Sequence, residues 1–268
     1  MKTTTLVRSL KAFAIIAAFV AGSRAQPALA GETSVYLKSG WFTWDEKLNG
    51  SSFVKEKGFM HGAGISRRDE VSALSVAEVV EVWGGNLDYD GHDVTGTTPL
   101  KTDTSYLGTK EEVAVGIKLT AMETLTFEPF AAVGHRFWVR TRSREDWNSF
   151  YAKAGVMGEL KTTGYTMFLK GGALVPLYTR THVSLSDAGF SDVVTEPKSE
   201  LSGFAEGGVK LGAFAVSFEY EGMVFGQSAK VATSRTATVP KGVVIQNSLA
   251  FQPDSRSDLF SLKLAYSF

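Results

Sequence analysis

Ten stretches of this chain alternate apolar and polar side chains with a period of two rather than 3.6. A strand sends successive side chains to opposite faces, so a stretch of this kind has one oily face and one mostly polar face, Ser75 to Tyr89 excepted. The last stretch, Asp258 to Phe268, reads D-L-F-S-L-K-L-A-Y-S-F. Phe260, Leu262, Leu264, Tyr266 and Phe268 share one side, and Leu259, Ser261, Lys263, Ala265 and Ser267 share the other. The same spacing places strands at Val35 to Trp44, Gly58 to Arg67, Ser75 to Tyr89, Glu111 to Leu119 and Thr124 to Arg140. In the second half it places them at Asn148 to Leu160, Gly164 to Tyr178, Leu201 to Leu211 and Phe214 to Phe225. Both faces of Ser75 to Tyr89 are mixed, which points to a β-bulge there.

The connections alternate in length. Those after even strands are short: Arg68 to Leu74, Thr120 to Glu123, Lys161 to Thr163, and Gly212 with Ala213. Those after odd strands are longer: Asp45 to Lys57, Asp90 to Lys110, Thr141 to Trp147, Thr179 to Glu200 and Gly226 to Ser257. Ahead of the strands, Lys2, Arg8 and Lys11 precede an apolar run from Ala12 to Gly22, and Ala28-Leu29-Ala30 supplies small residues for cleavage. Residues 1–30 therefore read as a secretory signal peptide, with residues 31–268 as one mature domain. The apolar run is too short to cross a bilayer as a helix, and charges interrupt every other apolar run. A chain of this kind that enters a membrane must do so as a closed barrel, in which every backbone polar group is paired.

The alternating terminal residues Phe260, Leu262, Leu264, Tyr266 and Phe268 resemble the closing strand of bacterial outer-membrane β-barrels. The resemblance implies a closed antiparallel up-and-down barrel of about ten strands, with short periplasmic turns and longer outer connections. It implies location in the cell outer membrane of a Gram-negative-type bacterium, reached through the inner membrane and periplasm. Outer-membrane lipids, lipopolysaccharide and the barrel assembly machinery would be its partners, and those five residues would be the assembly signal. The alternation runs to Phe268, so no appended peptidoglycan-binding domain is expected. Aromatics near the strand ends suit two interfacial belts: Phe127, Tyr165, Phe214, Tyr266 and Phe268 at one end, and Trp41, Phe137 and Phe225 at the other.

There is no cysteine, hence no disulfide, no thiol nucleophile and no lipid-modified cysteine. The full chain carries 28 basic and 28 acidic residues. Losing Lys2, Arg8, Lys11 and Arg24 with the signal leaves 24 against 28, which is not a nucleic-acid-binding balance.

The face opposite the oily one carries Lys38, Lys118, Arg136, Arg140, Lys153, Lys170, Lys210 and Lys263, with Glu112, Glu128, Glu159, Glu206, Glu219 and Glu221. A barrel of eight strands is just filled by its side chains, and wide channels need about 16 strands. Ten strands and balanced charge predict a lumen filled by cross-strand ion pairs, because an isolated buried charge is very unfavourable. The function then expected is a non-enzymatic surface, structural or adhesive barrel whose loops meet an extracellular ligand. The alternative is a narrow selective channel, porin-like, lined by opposed charge rows.

One cluster in the outer connections invites a third reading. Asp88-Tyr89-Asp90-Gly91-His92-Asp93 puts two carboxylates at i, i+2, which project the same way from a strand. Such a pair can activate a water or, with Asp93, hold a cation. It resembles the first catalytic pair of the omptins, ten-stranded outer-membrane proteases with an Asp pair facing an Asp-His pair across the barrel mouth. The resemblance implies Asp88, Asp90 and His182 as catalytic candidates for a barrel-mouth hydrolase. The residue two before His182 is Arg180, so the facing pair lacks its carboxylate. No cofactor is expected, and Gly84-Gly85, Gly171-Gly172 and Gly207-Gly208 lie inside strands rather than in phosphate-binding loops.

Overall fold

The computed structural model describes residues 31–92, 98–239 and 242–268. The expected signal peptide, residues 1–30, and the metal-ligand candidate Asp93 lie outside the described residues. The chain folds as β1 (Gly31–Leu48), β2 (Ser51–Val71), β3 (Leu74–His92) and β4 (Pro99–Ile117), continued by the short β5 (Leu119–Met122). β6 (Leu125–Arg140), β7 (Glu145–Lys161) and β8 (Thr166–Val183) follow. A connection holding β9 (Val193–Thr195) and β10 (Lys198–Glu200) leads to β11 (Ser202–Leu211) and β12 (Phe214–Gly226). A hairpin of β13 (Val231–Val239) and β14 (Gly242–Ala250) precedes β15 (Asp254–Ser267).

Among the described residues, the hydrogen-bonded circuit β1-β2-β3-β4-β6-β7-β8-β11-β12-β15 returns to β1, with every pairing antiparallel. This is the ten-stranded closed barrel expected from the alternation. Its register measures its tilt. Stepping one way from Leu37 through direct partners passes Ala63, Val82, Thr109, Phe137 and Asn148 to Arg180. Stepping the other way passes Leu264, Val216 and Val209 to Met167. The two walks end thirteen residues apart on β8, one of them the extra residue of a bulge at Leu177-Tyr178. A stagger of about twelve over ten strands corresponds to a strand tilt of about 40°.

Outward residues form an apolar belt. Phe127, Tyr165, Phe214, Tyr266 and Phe268 are exposed at the end with the short turns, and Trp41, Phe59, Phe150, Tyr178 and Phe260 toward the opposite rim. On β6 the belt runs from Phe127 to Phe137, ten residues, or about 25 Å along a barrel axis tilted by 40°. That equals the lipid-facing height of outer-membrane barrels.

Three expectations need correction. The connections Asp45 to Lys57 and Asp90 to Lys110 are mostly strand: β1 and β2 run on to a two-residue turn, and β3 and β4 extend to His92 and from Pro99. Asn49 (φ 53°) and Gly50 (φ 80°) both adopt positive φ, the turn that matches hairpin twist. The bulge expected in Ser75 to Tyr89 is absent: β3 shows no register shift against either neighbour, although its pairing with β2 lapses between Asp88 and Gly84, and shifts fall at Glu46/Lys47 between β1 and β2 and at Phe150/Tyr151 between β7 and β8. Phe225, expected in the outer belt, turns into the barrel and is buried.

Candidate functional site

The inward face carries polar chemistry in tiers. At the short-turn end Arg68 bridges Glu70 (3.0 Å) and Glu128, and the Ser75 hydroxyl donates to Glu128 at 2.7 Å. Lys118 joins Glu70 at 3.0 Å, and Lys210 reaches Glu159 at 3.6 Å.

The middle tier is the densest. Lys38 meets Glu81 at 2.7 Å and Glu219 at 3.9 Å. Lys263 bridges Glu206 and Glu219, each at 2.5 Å. Lys153 bridges Glu112 and Glu221, each at 2.7 Å. Glu221 also gathers Lys110 at 3.1 Å and Arg136. Two phenols complete the tier: Tyr36 donates to Glu81 and Tyr151 to Glu112, both at 2.9 Å. Each ring lies over an inward glycine on the adjacent strand, Gly64 beneath Tyr36 and Gly134 beneath Tyr151, where a Cβ would collide with the ring. Lys170 sets its ammonium 4.7 Å from the centre of the Phe130 ring.

Above this lies an aromatic layer. Trp147 packs 5.1 Å from both Trp44 and Trp138 and 5.4 Å from Phe225, with Phe42, Met60, Leu87, Tyr106 and Met223 in the same cluster.

The rim tier crowns the aromatics. Arg140 donates to Glu46 (2.7 Å), Glu145 (2.7 Å) and Glu56 (2.8 Å), and its side chain is fully buried. Trp44 donates to Glu46 and Trp147 to Glu145, both at 2.8 Å, while Tyr106 donates to Glu56. One guanidinium therefore faces three carboxylates from β1, β2 and β7. Glu56 lies three residues beyond Phe59 and Glu145 five beyond Phe150, so the cluster stands outside the apolar belt. Burial, reinforced by Glu46 and Glu56, pushes the Glu145 carboxyl up to about 7 despite Arg140.

The thirteen lumen residues expected from sequence, Lys38, Lys118, Glu128, Arg136, Arg140, Lys153, Glu159, Lys170, Glu206, Lys210, Glu219, Glu221 and Lys263, lie on the inward face in the contacts above. Sequence reasoning missed Glu46, Glu56, Arg68, Glu70, Glu81, Lys110 and Glu145. Parity was the available signal: Glu46 stands two positions from the inward Trp44, and Glu81 six from the inward Ser75.

The catalytic candidates do not converge. Asp88 and Asp90 project outward from the rim of β3, and Asp90 pairs with Lys101 at 2.8 Å in solvent. His182 projects outward from β8, with β4, β6 and β7 between it and β3. Its neighbours are Asp146 at 3.9 Å and Asp192 at 4.0 Å.

No family model matches the chain, and no curated protein matches it in sequence. Among solved structures, it is similar to the outer membrane protease OmpT from Escherichia coli, with a TM-score of 0.53 at 9% identity, over 91% of this chain and 99% of that one. The translocator domain of the autotransporter NalP from Neisseria meningitidis aligns with a TM-score of 0.38 at 11% identity, over 99% and 98%. The β domain of the Bordetella autotransporter BrkA aligns at 0.40 and 12% identity, over 89% and 100%. The likeness to OmpT is one of fold: this chain has the closed antiparallel β-barrel architecture of bacterial outer-membrane proteins.

Proposed function

We propose that this protein is an outer-membrane barrel with a filled, non-conducting lumen and a non-enzymatic structural or adhesive role at the cell surface. The observation that carries the reading is the stack of inward tiers. Arg140, Glu56, Trp147, Tyr151 and Leu174 come from four different strands, β6, β2, β7 and β8, and are almost wholly removed from solvent. An unpaired charge is disfavoured in such surroundings, and a water path through them would have to break several ion pairs at once. Location in the membrane is supported by the 25 Å apolar belt with aromatics at both edges. On this reading lipids and lipopolysaccharide surround the belt, and the assembly machinery inserts the barrel. The rim strands and the β13–β14 hairpin offer the surface for an extracellular ligand.

Purified protein in planar bilayers is expected to give no discrete conductance steps. Steady ion-selective openings would replace this reading with the narrow-channel one. The outward placement of the Asp88–Asp90 pair on β3, with three strands between it and the outward His182 on β8, supports a non-enzymatic role. Peptide cleavage by the purified barrel is expected at background, and an activity abolished by Asp88→Asn with Asp90→Asn would establish the hydrolase instead.

A further inference from the structure

Charged and imidazole side chains on the outward face of the apolar belt are confined to one sector. On β7, β8, β11, β12 and β15, and on β1 up to Trp41, the outward positions between the two aromatic rings hold such residues as Val156, Leu169, Val209, Phe218, Leu262 and Leu37. On β2, β3, β4 and β6 the same face carries His61, Arg67, Glu78, Glu111 and His135. These are not rim residues. Glu111 is bracketed by exposed Val113, Val115 and Ile117 on one side and by Leu107 on the other. Glu78 lies between Leu74 and Val82, and His135 beside Val133 and against the Phe150 ring at 4.6 Å.

Hydrocarbon offers these groups neither a counter-charge nor a hydrogen bond, and ionisable residues within a membrane ordinarily face protein or water. The local pairings meet the need only in part. Arg67 is directly opposite Glu78 in the β2–β3 register, and its guanidinium donates to Asp69 at 2.9 and 3.0 Å. Glu111 is directly opposite His135 in the β4–β6 register, with Oε2 at 3.1 Å from Nδ1. A guanidinium has five donors and a carboxylate about four acceptor sites, so capacity for further partners remains.

The arrangement of signs indicates what covers the sector. The belt carries two cross-strand pairs of an acid with a basic side chain, Glu78 opposite Arg67 and Glu111 opposite His135, while His61 stands apart from both on β2. Two barrels facing each other across a two-fold axis parallel to the barrel axis bring the base of one to the level of the acid of the other. Such self-complementarity is what an isologous interface requires. We propose that the β2–β3–β4–β6 face is a lateral interface with a second copy of this chain, joined through Arg67 with Glu78 and through Glu111 with His135. The inference rests on the membrane-embedded reading above.

The chain has no cysteine, so single cysteines report contact cleanly. Val113→Cys places a thiol beside Glu111, and Leu169→Cys places one on the stretch of β8 within the belt, whose outward side chains carry no charge. Each variant, reconstituted at low protein-to-lipid ratio in phosphatidylcholine vesicles, is oxidised with copper-phenanthroline and run on a non-reducing gel. Val113→Cys is expected to yield about tenfold more disulfide-linked dimer than Leu169→Cys. Adding Glu111→Leu and His135→Leu is expected to bring its yield down to the Leu169→Cys level. Equal yields from the two faces, no dimer at Val113→Cys, or a yield indifferent to the double substitution would overturn the proposal. If the double variant does not fold, the comparison of the two faces still decides. Heat-dependent gel mobility of each unoxidised variant is read in parallel. Failure of the cysteine-free protein to show a heat-dependent shift sinks the membrane-barrel reading itself, a result distinct from a folded barrel that does not dimerise.

Discussion

Replacing Arg140 with methionine removes one guanidinium and leaves Glu46, Glu56 and Glu145 facing one another in a buried site. Three charge-assisted hydrogen bonds disappear, and at about 1.5–3 kcal/mol each they sum to more than the barrel can be expected to lose. Two features limit the loss. Trp44, Tyr106 and Trp147 still donate one hydrogen bond to each carboxylate. A carboxylate can also take up a proton: for an ordinary glutamate at pH 7.5 that costs about 4 kcal/mol. Glu145 already holds its proton up to about 7, so neutralising it costs much less. The expected loss at pH 7.5 is therefore about 3–5 kcal/mol, the usual range for breaking a buried ion pair from one side. At pH 4.5, where protonation of the carboxyls is nearly free, it should fall to about 1 kcal/mol. Urea unfolding of the barrel in micelles, followed by the emission of Trp44, Trp138 and Trp147, measures both values. Arg140→Met combined with Glu46→Gln and Glu56→Gln should recover most of the stability at pH 7.5. A loss under about 1 kcal/mol at pH 7.5, or an equal loss at both pH values, would refute the view that Arg140 holds three ionised carboxylates against burial.

The raised Glu145 carboxyl sets a separate pH dependence. The folded state binds this proton more tightly than the unfolded chain does, so its contribution is fully present below the ordinary glutamate value and is lost as pH rises through about 7. Between pH 5 and 8 the wild type should therefore lose on the order of 2–3 kcal/mol relative to Glu145→Gln, measured by parallel urea titrations. Gly134→Val should lose about 1–3 kcal/mol by pushing the Tyr151 ring off its seat and away from Glu112, and a high-resolution structure of the variant should show the phenol displaced. Gly50→Ala meets no atom within 4 Å and differs only in backbone freedom at φ 80°. It should lose about 1 kcal/mol in the same unfolding assay, with lumen contacts unchanged.

What was legible in the sequence follows the contrast between the two faces of each strand. Inside the belt an outward residue meets apolar surroundings and an inward residue meets charge, so Val113 against Glu112 and Val133 against Arg136 assign their own sides. Beyond the belt the outward face meets water. On the rim, outward Lys55, Lys57, Asp88 and Asp90 alternate with inward Glu56 and Tyr89, and the difference in polarity that betrays a strand vanishes. That is why the rim strands read as loops, why Glu46, Glu56 and Glu145 escaped notice as Arg140 ligands, and why Asp88 and Asp90 resembled a barrel-mouth pair. The Asn49-Gly50 turn was the one local signal of that extension, and it names the hairpin only once both arms are accepted as strands. Partner choice across the lumen was hidden for another reason: Glu221 reaches Lys110, Arg136 and Lys153 from sequence separations of 111, 85 and 68 residues, and closure of the barrel alone brings them together. The same contrast argument works in reverse on the belt. Where it predicts an apolar outward residue and the chain supplies Glu78, Glu111 or His135, the departure is informative, because folding of one barrel does not require it. A single copy gains little from a glutamate beside a histidine on its lipid face, whereas two copies gain a paired, water-excluding contact at two levels.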